Sequence, residues 1–166
     1  MLSYLLQDAK SNKSLINKTT LIIYRLGNWT HYRLHIPVIR QLFWFIYRLF
    51  DFLIIRVAGS GELPAKCQIG CGLYLPHGVN GIVIHSDSIL GSNITLFHQV
   101  TIGGNGNDYG MPQLGNNVYI GVGAKLIGEI KIGDSVKIGA NAVVVSDIPA
   151  NCTVVGVPAK IISKTG

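Results

Sequence analysis

Between residues 114 and 149 an aliphatic side chain returns at every sixth position: Leu114, Ile120, Leu126, Ile132, Ile138 and Val144. A second apolar series runs four places behind, at Val118, Ala124, Ile130, Val136, Ala142 and Ile148. Glycine, asparagine, aspartate and serine fill the gaps, as in Leu114-Gly-Asn-Asn-Val118 and Ile132-Gly-Asp-Ser-Val136. A period of six fits neither a helix at 3.6 residues nor a plain strand at 2.0, so each hexad combines a short strand with a turn. The pattern predicts a parallel β-solenoid whose coils lie about 4.8 Å apart, share backbone hydrogen bonds and stack their aliphatic residues inward. Glycine, asparagine and aspartate turn the corners because they tolerate positive φ at least cost.

The same spacing extends upstream through Ile69 and Leu75, then Ile84, Leu90, Leu96 and Ile102, with a slip in register near Gly78 to Gly81. The solenoid is expected over residues 59–166, starting at the flexible junction Gly59-Ser60-Gly61. After Ile102 the pattern stops for residues 103–113, a run rich in glycine and polar residues. It reads as a loop extruded from the coil, and solenoid insertions commonly gather on a binding face.

Residues 1–58 lack the six-residue period. Apolar spacing predicts one helix over residues 13–35 and a second over residues 38–57, separated by Pro37. Arg48 and Asp51 interrupt the second, leaving apolar runs far short of the ~20 residues that span a bilayer. The extreme N-terminus, with Gln7, Asp8, Lys10 and Lys13, has no apolar core of a cleaved signal peptide.

Charge sharpens this division. The chain of 166 residues carries a formal net charge of +6, and residues 1–58 hold all of the excess, eight lysines and arginines against Asp8 and Asp51. Arg25, Arg33, Arg40, Arg48 and Arg56 recur every seven or eight residues, which predicts a basic stripe opposite bulky apolar groups. The simpler reading is that the apolar face packs on the solenoid's end or on another subunit while the arginines stay solvated. Contact with an anionic membrane is the second reading. Nucleic-acid binding ranks third, since no nucleic-acid module accompanies the charge. Cys67, Cys71 and Cys152 form an odd set with no C-x-x-C pair, which points to a reduced, intracellular protein rather than to disulfides or a metal site.

Several runs carry a family resemblance: Leu75-Pro-His77-Gly, Gly81-Ile-Val-Ile, Val100-Thr-Ile-Gly-Gly104, Ile120-Gly-Val-Gly-Ala-Lys125 and the closing Val154-Val-Gly-Val-Pro-Ala-Lys160. In this order, over residues 61–160, they resemble the serine O-acetyltransferase branch of the hexapeptide-repeat acyltransferases. The short chain and its greasy N-terminal helices are similar in style to capsule and exopolysaccharide O-acetyltransferases. The resemblance implies a left-handed parallel β-helix, a homotrimer or dimer of trimers with active sites between subunits, and acetyl-CoA as donor, with no metal.

Acetyl transfer from a thioester to a hydroxyl needs a base near neutral pH, and imidazole suits it. His77 falls at the register slip and matches the family's catalytic histidine. Glu62 stands where the family has the aspartate that holds the imidazole's second nitrogen, with a side chain one methylene longer. His98 replaces a frequent glutamine, and three roles stay open: orienting substrate, stabilising the oxyanion, or sitting on the coil surface. Gly103 and Gly104 offer unobstructed N–H groups to the pantetheine arm or thioester oxygen, and small Ala124 and Ala142 leave room for that arm in a groove. Lys160 suits a CoA phosphate. His31 and His35 are expected to be surface or packing residues and His85 a turn residue.

In the resembling serine enzymes the loop ends in an Arg-His pair before a proline, and the arginine suits an amino acid carboxylate. Here Gly110-Met111 precede Pro112. The expected acceptor is therefore a neutral sugar hydroxyl of a surface polysaccharide or its precursor, in the cytoplasm or at the inner membrane face, with serine as the alternative. A γ-type carbonic anhydrase would need three zinc-binding histidines, and the spacings of His77, His85 and His98 do not match. A purely structural solenoid is the remaining class.

Overall fold

The computed structural model describes residues 1–106 and 110–164; Asn107 to Tyr109, within the expected 103–113 loop, lie outside the described residues. Three α-helices come first, α1 (Leu2–Ser11), α2 (Leu15–Arg33) and α3 (Pro37–Phe50), and the last continues as a π-helical segment over Asp51–Ala58. Pro37 sits at the start of α3, where its missing N–H costs no intrahelical bond, and Ile36 before it is extended. Helices α2 and α3 approach closely at Gly27, where an added Cβ would collide with the Tyr47 ring.

Parallel strands follow on three faces, visited in turn. The first face holds β2 (Val83–Ile84), β5 (Thr101–Gly103), β8 (Lys125–Ile127) and β11 (Val143–Val144). The second holds β1 (Gln68–Ile69), β3 (Ile89–Leu90), β6 (Gln113–Leu114) and β9 (Lys131–Ile132). The third holds β4 (Thr95–Leu96), β7 (Tyr119–Ile120), β10 (Lys137–Ile138) and β12 (Cys152–Val155). Strand β13 (Lys160–Lys164) turns back antiparallel on β12.

The register explains the period. Ile120 stacks on Ile138 and Leu126 on Val144, each pair eighteen residues apart, so three hexads make one turn. Both apolar series of residues 114–149 are buried, one on the strands and one at the corners. Ile102 pairs instead with Leu126, twenty-four residues on, and both ends of the expected 103–113 loop belong to the ladder, Gly103 beside Ile127 and Gln113 beside Ile89. Corner residues Asn93, Asn117, Ser135, Asn141 and Asn151 all take φ between 55° and 60°.

A coil's first turn presents unpaired backbone groups, which must be satisfied. Helical side chains cap them. Asn12 donates to Leu73 O and accepts from Leu75 N, Asn17 donates to Leu75 O, and the Tyr24 hydroxyl donates to Cys67 O. Arg25 is therefore buried, bound to Asp8 and to the carbonyls of Ile69 and Gly70.

Three expectations change. The helix expected over residues 13–35 is α2, shorter by two residues at each end, and α1 is additional. Helix α1 buries no apolar stripe: its buried residue is Asp8. The expected helix over residues 38–57 divides into α3 and the π-helical segment. The basic stripe is broken, because Arg25 faces inward and Arg56 is held by Asp51 and Glu62. No helix among the described residues is long and apolar enough to cross a membrane.

Candidate active site

The corner between the third and first faces stacks His77 beneath Phe97 and His98. His77 occupies the turn after Leu75, where the hexad register slips, and its exposed imidazole projects from the coil. The ring centroids of His77 and His98 lie 5.0 Å apart at an interplanar angle of 84°, and Phe97 is 5.8 Å from His77. Tyr119 continues the aromatic column at 5.3 Å from Phe97. His98 is partly buried, and its Nδ1, wholly buried, has no hydrogen-bond partner among the described residues.

His77 lines a cleft of about 320 Å³ between this corner and the helices. Helix α2 contributes Asn17 and Thr20, with Ser14 just before it, and Asn80 stands opposite. Sequence reasoning missed this polar wall. The hydrophobic period reports which residues of α2 face the core, whereas Asn17 and Thr20 reach the cleft only because the helix is clamped across the first coil.

The other candidate residues fall in several places. Glu62 is not hydrogen-bonded to His77; Arg56 Nη1 donates to its Oε1 at 3.1 Å, since the π-helical segment brings that guanidinium over the first coil. Gly103 and Gly104 lie at the far edge of the first face, with Met111 packed against Gly104 so that an added Cβ would meet its Cε at 2.9 Å. Gly103 is the last residue of β5 and Gly104 follows it, while His98 lies at the corner before the strand.

Ala124 and Ala142 are fully buried and fill the coil interior, so their side chains do not line a groove. The position four places behind each strand residue points inward at a corner, which decides their orientation. Lys160 is exposed at the start of β13. Lys125 donates from Nζ to the carbonyls of Gln99 and Gly123 on the first face beside the histidine corner.

Of the other histidines, His31 packs edge-on to Tyr32 and near Trp44, and burial followed by the charge of Arg40 lowers its pKa. His85 Nδ1 accepts from the Asp87 N–H in its turn. Among the described residues no three His, Cys, Asp or Glu side chains stand together in a way that could hold a metal ion.

The family model for bacterial transferase hexapeptide, six repeats, matches residues 111–146. The serine acetyltransferase of Helicobacter pylori (strain J99 / ATCC 700824) is 44% identical over 146 residues, which is 87% of this chain and 80% of that protein. The chain belongs to the serine acetyltransferase family. The family member from Synechococcus elongatus (strain ATCC 33912 / PCC 7942 / FACHB-805) is 37% identical over 148 residues, 88% of this chain, but the chain spans only 57% of its length. The crystal structure of serine acetyltransferase in complex with coenzyme A from Brucella abortus strain S19 superposes with a TM-score of 0.82 at 28% identity, covering 99% of this chain and 68% of that one.

Family membership corrects the expected acceptor. The relatives, at 37% and 44% identity, are named for serine and not for a polysaccharide sugar. The inference to a neutral acceptor rested on the missing cation at Gly110 and Met111, but a carboxylate partner need not come from those two positions. The cleft beside His77 is small, and its lining mixes Ser14, Asn17, Thr20 and Asn80 with the apolar Ile16, Ile54 and Val79.

Proposed function

We propose that this chain is an acetyl-CoA-dependent serine O-acetyltransferase, the alternative acceptor of the sequence reading, with His77 as general base. The observation that carries this reading is the 44% identity with a serine acetyltransferase along 87% of the chain. The coenzyme A bound to the Brucella abortus relative supports the donor. His77 takes the proton of the serine hydroxyl as that oxygen attacks the thioester carbonyl. The tetrahedral intermediate then collapses, the C–S bond breaks, and the imidazolium returns the proton to the departing thiolate.

Arg56 engages Glu62, whereas the His98 ring packs against His77 with centroids 5.0 Å apart, and we assign His98 the role of fixing the orientation of that imidazole by packing. The N–H groups of Gly103 and Gly104 serve the thioester oxygen or the pantetheine arm, and Lys160 a CoA phosphate. Within one chain the histidine corner precedes β5, whereas the glycines stand at that strand's other end. That separation favours a left-handed coil assembled as a trimer, with the glycines of one subunit facing His77 of the next. In this reading residues 59–166 form the catalytic domain and residues 1–58 cap it and wall the acceptor cleft. Acetyl-CoA as donor puts the reaction in the cytoplasm.

The test is thiol release from acetyl-CoA with L-serine, with mass spectrometry of the product. Serine-dependent thiol release accompanied by O-acetylserine is expected. A protein that binds CoA yet leaves saturating L-serine unmodified would overturn the reading.

A further inference from the structure

Helix α3 turns its apolar side away from the protein. Val38, Leu42, Phe45 and Leu49, continued by Phe52 in the π-helical segment, are spaced four, three, four and three residues apart, so they share one face. Their exposures run from 46% at Leu49 to 77% at Val38. The opposite side is the packed one: Tyr47 and Asp51 are buried, and the Tyr47 hydroxyl accepts from Ala65 N of the first coil. An apolar face of this length on the outside of a helix needs an occupant.

The charges beside it have one sign. Residues 1–58 contain two carboxylates, and both are engaged inside the fold, Asp8 by Arg25 and Asp51 by Arg56. Six cations of the same segment, Lys10, Lys13, Lys18, Arg33, Arg40 and Arg48, have no carboxylate within the segment left to neutralise them. Arg48 lies at the edge of the apolar face. A second copy of this face would bring arginine against arginine with no exposed carboxylate of the segment between them. A sheet of anionic headgroups over hydrocarbon meets both features at once.

We infer that α3 and the π-helical segment form a docking face for an anionic membrane surface, with the helix lying in the interface. No helix among the described residues can cross the bilayer, so the face rests on it without spanning. This attachment is independent of the acetyl acceptor. It keeps the helical layer at the lipid surface, and its measurement needs no turnover.

The experiment is sedimentation of the full chain with vesicles of phosphatidylcholine alone and with phosphatidylserine as roughly one lipid in three. Binding to the anionic vesicles at ~0.1 M salt, with weak binding to the neutral ones and a loss as salt rises, is the expected result. The double variant Phe45→Ser/Leu49→Ser should weaken anionic-vesicle binding on the order of tenfold or more. Arg48→Glu should weaken it several-fold while leaving the helical circular dichroism unchanged. Binding that ignores lipid charge, or no binding to anionic vesicles at low salt, would overturn the inference. A concentration-dependent rise in mass that the double variant abolishes, without vesicle binding, would assign the face to a second copy and overturn it equally.

Discussion

Arg25 Nε and Asp8 Oδ2 lie 2.8 Å apart, with side chains 4% and 2% exposed, and both residues also bind the first turn of the coil. Asp8 Oδ1 accepts from the backbone N–H groups of Gly72 and Leu73, and the Arg25 guanidinium donates to the carbonyls of Ile69 and Gly70. The pair thus ties α1 and α2 to the end of the solenoid through six hydrogen bonds, two of them internal.

Asp8→Ala should therefore cost about 3–5 kcal/mol, because it strands a buried guanidinium and two backbone donors together. Urea denaturation followed by circular dichroism measures the loss. A change below about 1 kcal/mol would mean that water satisfies these groups without the carboxylate.

His77→Ala should lower kcat with serine by roughly 10²–10⁴-fold while leaving CoA binding and assembly intact. His98→Phe keeps a flat ring beside His77 but removes its nitrogens. It should therefore leave kcat and the acid limb of the pH–rate profile in place. A displaced limb would show that the His98 nitrogens, and not its packing alone, act on His77.

Alkaline stability should decline early. Burial pushes the Cys67 thiol up from 9.0 to about 12, outweighing the lowering by Arg25. Between these values the unfolded chain has released a proton that the folded chain still holds, so rising pH favours unfolding by about 1.4 kcal/mol per pH unit. Burial also raises the phenols of Tyr24 and Tyr47, which steepens the decline above their ordinary value of 10.0. Urea midpoints measured from pH 8 upward should show this slope, and Cys67→Ala should flatten it below pH 10.

Ser135→Asn should stabilise the coil by roughly 0.5–1 kcal/mol, since Ser135 holds φ at 57° where the neighbouring corners use asparagine. A gain of a few degrees in Tm is expected. No gain would show that the corner's strain is already relieved locally.

The candidate site was legible in part. The register slip and the family resemblance point to His77, and the resemblance alone points to His98. Their ring contact was not legible, since it depends on which corner each turn reaches. The surroundings of Glu62 and of the two alanines were not legible for the same kind of reason. Arg56, six residues before Glu62, takes the carboxylate, and the corner geometry turns Ala124 and Ala142 inward. Residues 107–109 of the loop lie outside the described residues.

By itself the sequence determined the coil: a six-residue period is a local rule repeated between neighbouring turns, so strands, corners and inward stacks follow from spacing alone. Only the tertiary structure decided how the helices meet that coil. Helix α1 is held by a buried ion pair whose partners are seventeen residues apart. Such a bond has no period to read, nor has the one from Ala65 N to the Tyr47 hydroxyl, which packs one side of α3 on the first coil and leaves its apolar face outward.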